Sequence, residues 1–467
     1  MKHVHFIGIG GTGLSAIAQV LLEKGYRVSG SDREVSSLFK AITAAGAHTY
    51  QGHTPEHIAG ADLVIRSSAV PDDNPEVVAA RARGIPVLKR QDFLQELTAG
   101  KQTLAVAGTH GKTTTTSMLT YVLSELGLDP SYISGSVISQ LGGNAHAGSG
   151  PHFVIEADEY DHMFLGLAPE MAVITNIEHD HTDCFPTQAD YADAFLAFAQ
   201  CVHSGGKIIY CHDDPGAREL FAQLPDQHAQ LLTYGTGTGV HYQADQVTFI
   251  DGYPHFELLF RVESGQKTHL GLVKLHVPGR HNVLNATGAL AVVHQLGLPL
   301  PEAIQAIGAF TGAGRRFEVL GQAGGVTVIN DYGHHPTEIV ATLEAARSRY
   351  PGRRIWAVWQ PHTFSRTQSL AGRFVEALSL ADKVIVLKIY AAREADHGYS
   401  ADQIASALPV DKAAYQASFD LAAEALLEGT ASDDIVIIFS AGDAIQLSQM
   451  IMNGLQQQEH SQQELHR

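Results

Sequence analysis

The sequence predicts an α/β protein of three domains, each carrying a parallel sheet flanked by helices. Three observations predict it. Short apolar runs alternate with helix-like segments almost throughout, the pattern of strands joined by crossover helices. A glycine-rich loop stands between a strand and a helix at two places, Gly8-Ile-Gly-Gly-Thr-Gly13 and Gly108-Thr-His-Gly-Lys-Thr-Thr-Thr-Thr116. The 467 residues make roughly three domains at about 150 residues each. The boundaries expected are 1–99, 100–313 and 314–455, with a polar tail over 456–467 that lacks apolar periodicity and should fray.

In the first domain the strands fall at 4–9, 26–31, 63–67 and 86–89. The first runs into the glycines Gly8, Gly10 and Gly13, which fit G-x-G-x-x-G, and Asp32 ends the next strand about twenty residues on. The unit is therefore Rossmann-like, and reads as a dinucleotide or nucleotide-diphosphate site. A tight turn that only packs helix on strand would use the same glycines, and the glycines do not say which ligand is held.

The second glycine loop opens the central domain, between an apolar run at 103–107 and a helix at 117–126. Such a loop turns backbone N–H groups toward one point, where the positive end of the helix dipole adds to them, so phosphate is the natural guest. Lys112 would reach the terminal phosphates, and the hydroxyl of Thr113 would sit on an accompanying Mg²⁺. The strict P-loop pattern wants a glycine where Val106 stands, so this is a shortened P-loop-type variant. Further strands are expected at 153–157, 171–177 and 207–211. Acids and histidines follow two of them, in Glu156-Ala-Asp-Glu-Tyr-Asp161 and Asn176-Ile-Glu-His-Asp-His-Thr-Asp183. Both lie at the edge where α/β sheets bind ligands, and their hard oxygen donors suit Mg²⁺ or Mn²⁺ better than zinc. Residues 242–277 alternate polar and apolar, a small antiparallel excursion expected to carry no chemistry. Asn282 follows, near the start of a long helix; its spacing favours a helix cap over an amide that reads a base.

Gly312-Ala-Gly-Arg-Arg-Phe317 reads as a hinge into the third domain, again Rossmann-like, with parallel strands at 326–330, 354–359, 383–387 and 434–439. Polar residues gather after two strands, in Asp331-Tyr-Gly-His-His-Pro336 and Gln360-Pro-His-Thr-Phe-Ser-Arg366. The paired histidines before proline suit a capped turn as well as a site. Arg315, Arg316 and Arg366 are candidates to neutralise phosphate.

The formal charge of −18 argues against nucleic acid or anionic membrane as a broad partner. The three cysteines, Cys184, Cys201 and Cys211, make no disulfide framework and suit a reducing, cytoplasmic setting. No apolar run approaches the ~20 residues of a bilayer span, and no secretory leader is visible.

Taken together, the loop at 8–13, Gly108-Thr-His-Gly-Lys-Thr, Glu156-Ala-Asp-Glu, Thr175-Asn-Ile-Glu, His281-Asn-Val-Leu-Asn, Arg315-Arg-Phe-Glu, Asp331-Tyr-Gly-His-His-Pro and Gln360-Pro-His-Thr-Phe resemble the Mur ligases, in order over residues 3–445. The resemblance is closest to the alanine-adding branch. It implies ATP-dependent ligation of L-alanine to the lactyl carboxylate of UDP-N-acetylmuramate, with Mg²⁺ or Mn²⁺. It also implies roles for particular residues. The first domain would hold the UDP end, not NAD, with Gly10, Gly11, Thr12 and Ser15, turning Ser31 and Asp32 toward the uridine with Ser67 and Ser68 nearby. Gly108, Thr109, His110, Gly111, Lys112, Thr113 and Thr114 would cradle the ATP phosphates. Thr113 and Glu156 would bind one metal ion and His181 a second. Asn282 would contact adenine, Arg316 the phosphates and Asp331 the ribose. His335, His362 and Arg366 would face the substrate carboxylate and amino acid, with His335 a candidate base. Lys112, Glu156, His181, His335 and Arg366 are thus the expected catalytic set.

The chain departs from the family pattern at Asn330, Thr363 and Tyr160, all near the expected amino-acid contacts. It has no lysine between Glu178 and Gly206, whereas the later-acting siblings use a carbamylated one there. Competing readings are an NAD(P)-dependent oxidoreductase built on Gly8, Gly10, Gly13 and Asp32, a nucleotide sensor without catalysis, and a ligase that recycles ready-made peptide. The sequence leaves open the choice of L-alanine over glycine or L-serine, and the oligomeric state.

Overall fold

The computed structural model describes residues 2–224, 229–262, 265–392, 394–396 and 398–465. Its three sheets follow the three predicted units. The first joins β1 (His3–Ile7), β2 (Arg27–Asp32), β3 (His48–Gln51), β4 (Leu63–Arg66) and β5 (Val87–Lys89) in the order β3-β2-β1-β4-β5, all parallel. The order reverses beside β1, so the glycine loop after β1 opens at the switch point where such sheets bind ligands. β3 escapes the sequence reading because His-Thr-Tyr-Gln is short and polar, and none of it is fully buried.

The central sheet has ten strands: β6 (Gln102–Ala107), β7 (Ser131–Ile138), β8 (Gly143–His146), β9 (His152–Glu156), β10 (Met171–Ile174), β11 (Lys207–Cys211), β12 (Gln230–Gly235), β13 (Tyr242–Ile250), β14 (Tyr253–Arg261) and β15 (Lys267–Lys274). β6 lies between β10 and β9, parallel to both, which sets the phosphate loop at the middle of the sheet. The antiparallel strands β13, β14 and β15 form the expected excursion within the central domain. β12 pairs in parallel with β13 through Tyr234↔Tyr242 and Gly235↔Gln243, so they extend the same sheet.

The helix Lys112–Glu125 starts at the loop itself, earlier than the apolar pattern suggests, because its first turn is four threonines. Threonine loses side-chain freedom in a helix, and burial compensates here, since residues 113–123 are all buried. They pack with the helix Arg280–Gln295 in one core. The opposite face carries aromatic rings from the helix Gln188–Cys201, with Phe164 stacked on Phe198 at 4.6 Å. That core is continuous with the core of the first domain. The join is close, because a Cβ on Gly166 would fall 2.0 Å from the carbonyl oxygen of Gln91.

The third sheet, β16 (Glu318–Ala323), β17 (Val326–Asp331), β18 (Ile355–Gln360), β19 (Lys383–Leu387), β20 (Ala413–Gln416) and β21 (Ile435–Ser440), has the order β16-β17-β21-β18-β19-β20. It is parallel except for the edge strand β16, which the sequence reading missed. Its signal was Gly324-Gly325, both at positive φ (56° and 78°), a two-residue hairpin loop. Where the tail is described its backbone is helical, continuing the helix Ile445–Leu465, and the last two residues of the expected tail lie outside the described residues. Leu447, Ile451 and Leu455, one helical turn apart, are buried in the third domain and supply the nucleus, from which glutamines and glutamates propagate the helix at little cost.

The linker to the third domain is pinned at its expected hinge. Ala313 bridges to Ile138, and Gly314 N–H donates to the carbonyl of Val137 at 2.9 Å. The positive φ values beyond, 58° at Arg315 and 48° at Phe317, mark where the chain turns sharply.

Candidate active site

Two glycines make the central loop possible. Gly108 has φ +130°, and a Cβ there would fall 2.1 Å from Thr175 Oγ1; Gly111 has φ +81° and would meet Asn285 Oδ1 at 2.7 Å. The loop is also sewn to the end of β10, since Thr109 N–H donates to Asn176 O (3.0 Å) and His110 N–H to Asn176 Oδ1 (2.8 Å). Lys112 Nζ turns back over the loop, donating to the carbonyls of Gly108 (2.5 Å) and Thr109 (3.1 Å) and pairing with buried Glu159 at 2.8 Å. Burial opposes the ammonium charge, but Glu159 and Asp158 outweigh it and raise the Lys112 pKa.

Beside the lysine, Thr113 Oγ1 donates to Glu156 Oε1 at 3.0 Å, and Gly135 N–H donates to Glu156 Oε2 at 2.5 Å. Burial raises the Glu156 pKa against the pull of Lys112, a carboxylate that gains from a cation. A hydroxyl and a carboxylate meeting at a phosphate loop are hard donors of the type Mg²⁺ prefers. His181, at φ 54°, has Nε2 3.7 Å from Glu159 Oε1 and its ring edge-on to Tyr160.

Two cavities meet at this loop. One, of about 810 Å³, is lined by His110, Thr114, Asn282, Asp331 and Tyr253 among others. The other, of about 780 Å³, is lined by Thr12 and Gly13 from the first domain, Lys112, Glu156 and His181 from the central domain, and His334, His362 and Arg366 from the third. Gly111, Arg316 and Glu338 belong to both walls. Arg316 stands between them, 3.4 Å from Thr113 Oγ1 and 3.5 Å from Glu338.

Several sequence expectations change at this level. Asn282 is not the helix cap that its spacing favoured: Gly279 occupies that position, and Asn282 Nδ2 donates to the carbonyl of Pro278 at 2.7 Å while the residue lines the nucleotide-sized cavity. The antiparallel excursion is not idle, since Tyr253 and His276 wall the same cavity. Asp331 also lines it, and burial lifts its pKa to about 6 against the pull of Arg316. Its two carboxylate oxygens accept the N–H groups of Phe317 and Gly333.

In the first domain Thr12 lines the second cavity, and Gly10, Gly11, Ser15, Asp32, Ser67 and Ser68 are not among its lining residues. Ser31 is fully buried and donates to Glu76 Oε2 at 2.5 Å, so it faces the interior instead of a ligand. Asp32 accepts Gly10 N–H at 2.9 Å and braces the loop. Of the departures, Asn330 takes a hydrogen bond from Ser448 (2.5 Å) on the far side of its sheet, Tyr160 donates to Asp183 (2.9 Å), and Thr363, at φ 67°, lines the second cavity.

The largest correction concerns His335. It is fully buried, and Nδ1 accepts Thr337 N–H as the cap of the helix Pro336–Arg349. The proton therefore sits on Nε2, which has no partner. Burial, with His110 beside it, lowers its pKa to about 4. A capping imidazole that carries its proton inward is not placed to deprotonate an amine. His334 lines the second cavity in its place, and burial holds it neutral, its pKa well below the ordinary value.

Arg366 is likewise engaged. Its Nε and Nη2 donate to Asp180 Oδ1 at 2.9 and 2.8 Å, both residues buried. Glu178, from the same acidic stretch, pairs with Arg373 at 2.6 Å and accepts from Thr337 at 2.8 Å. Acids at such a strand end suit a divalent ion by type, and here Glu178 and Asp180 tie the central domain to the third. His110, Glu178 and His335 bring ligand-type atoms within 4.8 Å of one another; the Nδ1 of His335 is already spent on its cap, and His110 bridges carboxylates.

That bridge runs from His110 to Glu178 (3.0 Å) and to Glu338 (3.4 Å) across the domain boundary. Burial opposes the charge on His110, but the two carboxylates outweigh it and lift its pKa to about 9. A raised folded-state pKa gives stability that is complete below the unfolded value near 6.5 and lost as pH rises through about 9. The contribution is on the order of 3 kcal/mol at neutral pH. The melting temperature is expected to fall between about pH 6.5 and about 9 in the native chain, and the fall to be smaller in His110→Gln. An equal fall in both would remove His110 as its source.

Glu338, Glu178, Glu159, Asp180 and His334 went unassigned in the sequence reading. Glu338 had a signal, as the third helical residue after a capping His335; the others are settled by packing.

Fold and site place the chain among ATP-dependent ligases, enzymes that hold a nucleotide and an acceptor on opposite sides of one phosphate. The family models agree: "Mur ligase family, catalytic domain" matches residues 3–102, "Mur ligase middle domain" 106–293 and "Mur ligase, glutamate ligase domain" 315–442. The chain belongs to the Mur ligase family. It is 47% identical to the UDP-N-acetylmuramate--L-alanine ligase of Frankia casuarinae, over 85% of this chain and 84% of that one. It is 41% identical to the ligase of the same name from Acidobacterium capsulatum, over 97% and 98%. Among solved structures, the UDP-N-acetylmuramate-alanine ligase of Thermotoga maritima superposes with a TM-score of 0.83 at 28% identity, over 98% of this chain and 100% of that one. A murein peptide ligase from Psychrobacter arcticus follows at 0.73 and 25%, over 98% and 99%. No helix among the described residues is long and apolar enough to cross a membrane.

Proposed function

We propose that the chain joins L-alanine to the lactyl carboxylate of UDP-N-acetylmuramate at the expense of ATP, a step of peptidoglycan biosynthesis. The observation that carries this reading is the pair of cavities meeting at Gly111 and Arg316, which lets a nucleotide and an acceptor approach one phosphate from opposite sides. The relatives' names supply the identity of the acceptor and amino acid.

A carboxylate does not condense with an amine in water because its leaving group is poor. Lys112 and Arg316 flank the phosphate loop and neutralise charge as a lactyl oxygen attacks the γ-phosphorus of ATP and ADP departs, the electrostatic work that dominates phosphoryl transfer. Thr113 and Glu156 would hold a divalent ion, which adds to that neutralisation. The alanine nitrogen then attacks the acyl carbon of the resulting acyl phosphate, and phosphate leaves. The amine proton goes to a neutral base, for which His334 is placed on the cavity wall and His335 is not. An NAD(P) oxidoreductase is disfavoured by Asp32, whose carboxylate braces Gly10 N–H.

Phosphate release from Mg-ATP with UDP-N-acetylmuramate is expected only when an amino acid is added, fastest with L-alanine among the twenty. Release independent of the amino acid would overturn the assignment. Discrimination against glycine and L-serine rests on a methyl or a hydroxyl and should be worth ~1–3 kcal/mol.

A further inference from the structure

Arg90 is a cation of the acceptor-side cavity that the reaction above does not use; of the others outside that reaction, Arg315 is held by the carbonyl of Ser440 and Arg366 by Asp180. It is the first residue of the helix Arg90–Thr98 in the first domain, and its side chain lines the wall shared with Lys112, Thr113 and Glu156. Its side chain forms no hydrogen bond and no ion pair among the described residues; Asp158 and Glu156 act on it only through space. A half-buried guanidinium has five donors and no acceptor capacity, and is ordinarily retained in an interior where carboxylate or phosphate oxygens meet it.

Its position is built into the fold. Phe93, Leu94 and Leu97 bury the far side of its helix in the core shared with the central domain. On the near side stands Gly13, where a Cβ would fall 1.8 Å from Arg90 Nη1. The third glycine of the fingerprint thus makes room for this arginine, which lies against the first turn of the helix Thr12–Glu23. That helix begins after Gly11 without a side-chain cap, and its positive end and the guanidinium beside Gly13 both favour an anion.

We infer that Arg90 binds the diphosphate of the sugar nucleotide, holding it between the glycine loop and the cleft. The inference rests on the functional reading above. Placement at Gly13, on the first-domain side of the cleft, selects the diphosphate over the lactyl carboxylate, which must reach the phosphate loop near Lys112. A guanidinium there also offsets repulsion between the diphosphate and the acids Glu156 and Asp158. Nothing in the fingerprint pattern itself calls for this residue, because it comes from a helix some eighty positions away in sequence.

The test is calorimetric titration of the full chain with UDP, UDP-N-acetylglucosamine and UDP-N-acetylmuramate. Arg90→Ala is expected to weaken all three by a similar factor, roughly 10- to 100-fold, and to leave Mg-ATP affinity unchanged; Arg90→Lys should weaken them less. Gly13→Ala should weaken the same ligands in the native background and add little to Arg90→Ala, because its clash is with the guanidinium. If Arg90→Ala melts early, the Lys and Gly13 variants carry the comparison. Weakening confined to UDP-N-acetylmuramate would place the arginine on the carboxylate and overturn the inference. So would loss of Mg-ATP affinity alone, or an equal cost of Gly13→Ala in both backgrounds. A native chain that binds none of the three would overturn the functional reading itself; native binding unchanged in Arg90→Ala overturns only the role of the arginine.

Discussion

Replacing Lys112 by alanine is expected to lower turnover by at least ~10². The ammonium is held over the loop by two carbonyls and by Glu159, so its charge is in place before any phosphate group develops more. A preorganised charge of this kind acts in a water-poor site and needs no reorganisation during the reaction, which is why its removal costs so much. The same substitution strands Glu159, fully buried, as an uncompensated carboxylate, and a fall in melting temperature should accompany the lost rate. The two effects separate in the double variant Lys112→Ala with Glu159→Gln, where stability should return and turnover should not. Turnover close to native in Lys112→Ala would remove the loop from the mechanism.

Breaking the pair between Asp180 and Arg366 is expected to have the second largest effect. Asp180 is 6% exposed and Arg366 7% exposed, and the pair bridges the central and third domains. Burial works against the charge on Asp180, but Arg366 overcomes it and holds the carboxyl pKa well below the usual range. Asp180→Ala leaves a buried guanidinium unpaired, at about 3–5 kcal/mol. Because Arg366 lies at a domain boundary, the third domain can swing away and hydrate it, so the loss should show as opening more than as global unfolding. Small-angle scattering should give a larger radius of gyration in Asp180→Ala, and Mg-ATP analogue with sugar nucleotide should contract it less than in the native chain. Changing both residues, with Arg366→Met, should recover part of the stability, since the stranded charge is gone. A variant with native turnover and native dimensions would show that the pair holds nothing together.

These two residues also illustrate how much of the site was legible. Lys112 stood in a local pattern, glycines before and a helix after, and its contacts with the loop carbonyls follow from that pattern, whereas its pairing with Glu159 does not. Arg366 was read as a phosphate neutraliser from its place after a strand end and as facing substrate from the family resemblance, and it does line the cavity. Its partner lies 186 positions earlier, and no local spacing reports such a pairing. His335 failed for a related reason: both histidines of Asp331-Tyr-Gly-His-His-Pro sit at one strand end, and only helix geometry decides that the second turns inward as a cap while the first faces the cleft. Ser31 likewise ends a strand correctly placed in the sequence, yet its side chain points to Glu76 beneath the sheet.

The alternation of strands and helices, the two glycine loops and the acids at strand ends were determined by sequence alone, because periodicity, backbone conformation and loop chemistry are local properties carried by neighbouring residues. Their assembly was decided by the tertiary structure. It set Thr113 on Glu156, turned Glu178 and Asp180 toward the third domain, and brought Arg90 against Gly13 at the mouth of the cleft. Those contacts join residues far apart in the chain, and burial, with the cost of leaving a charge unpaired, selects among partners that the sequence merely makes available.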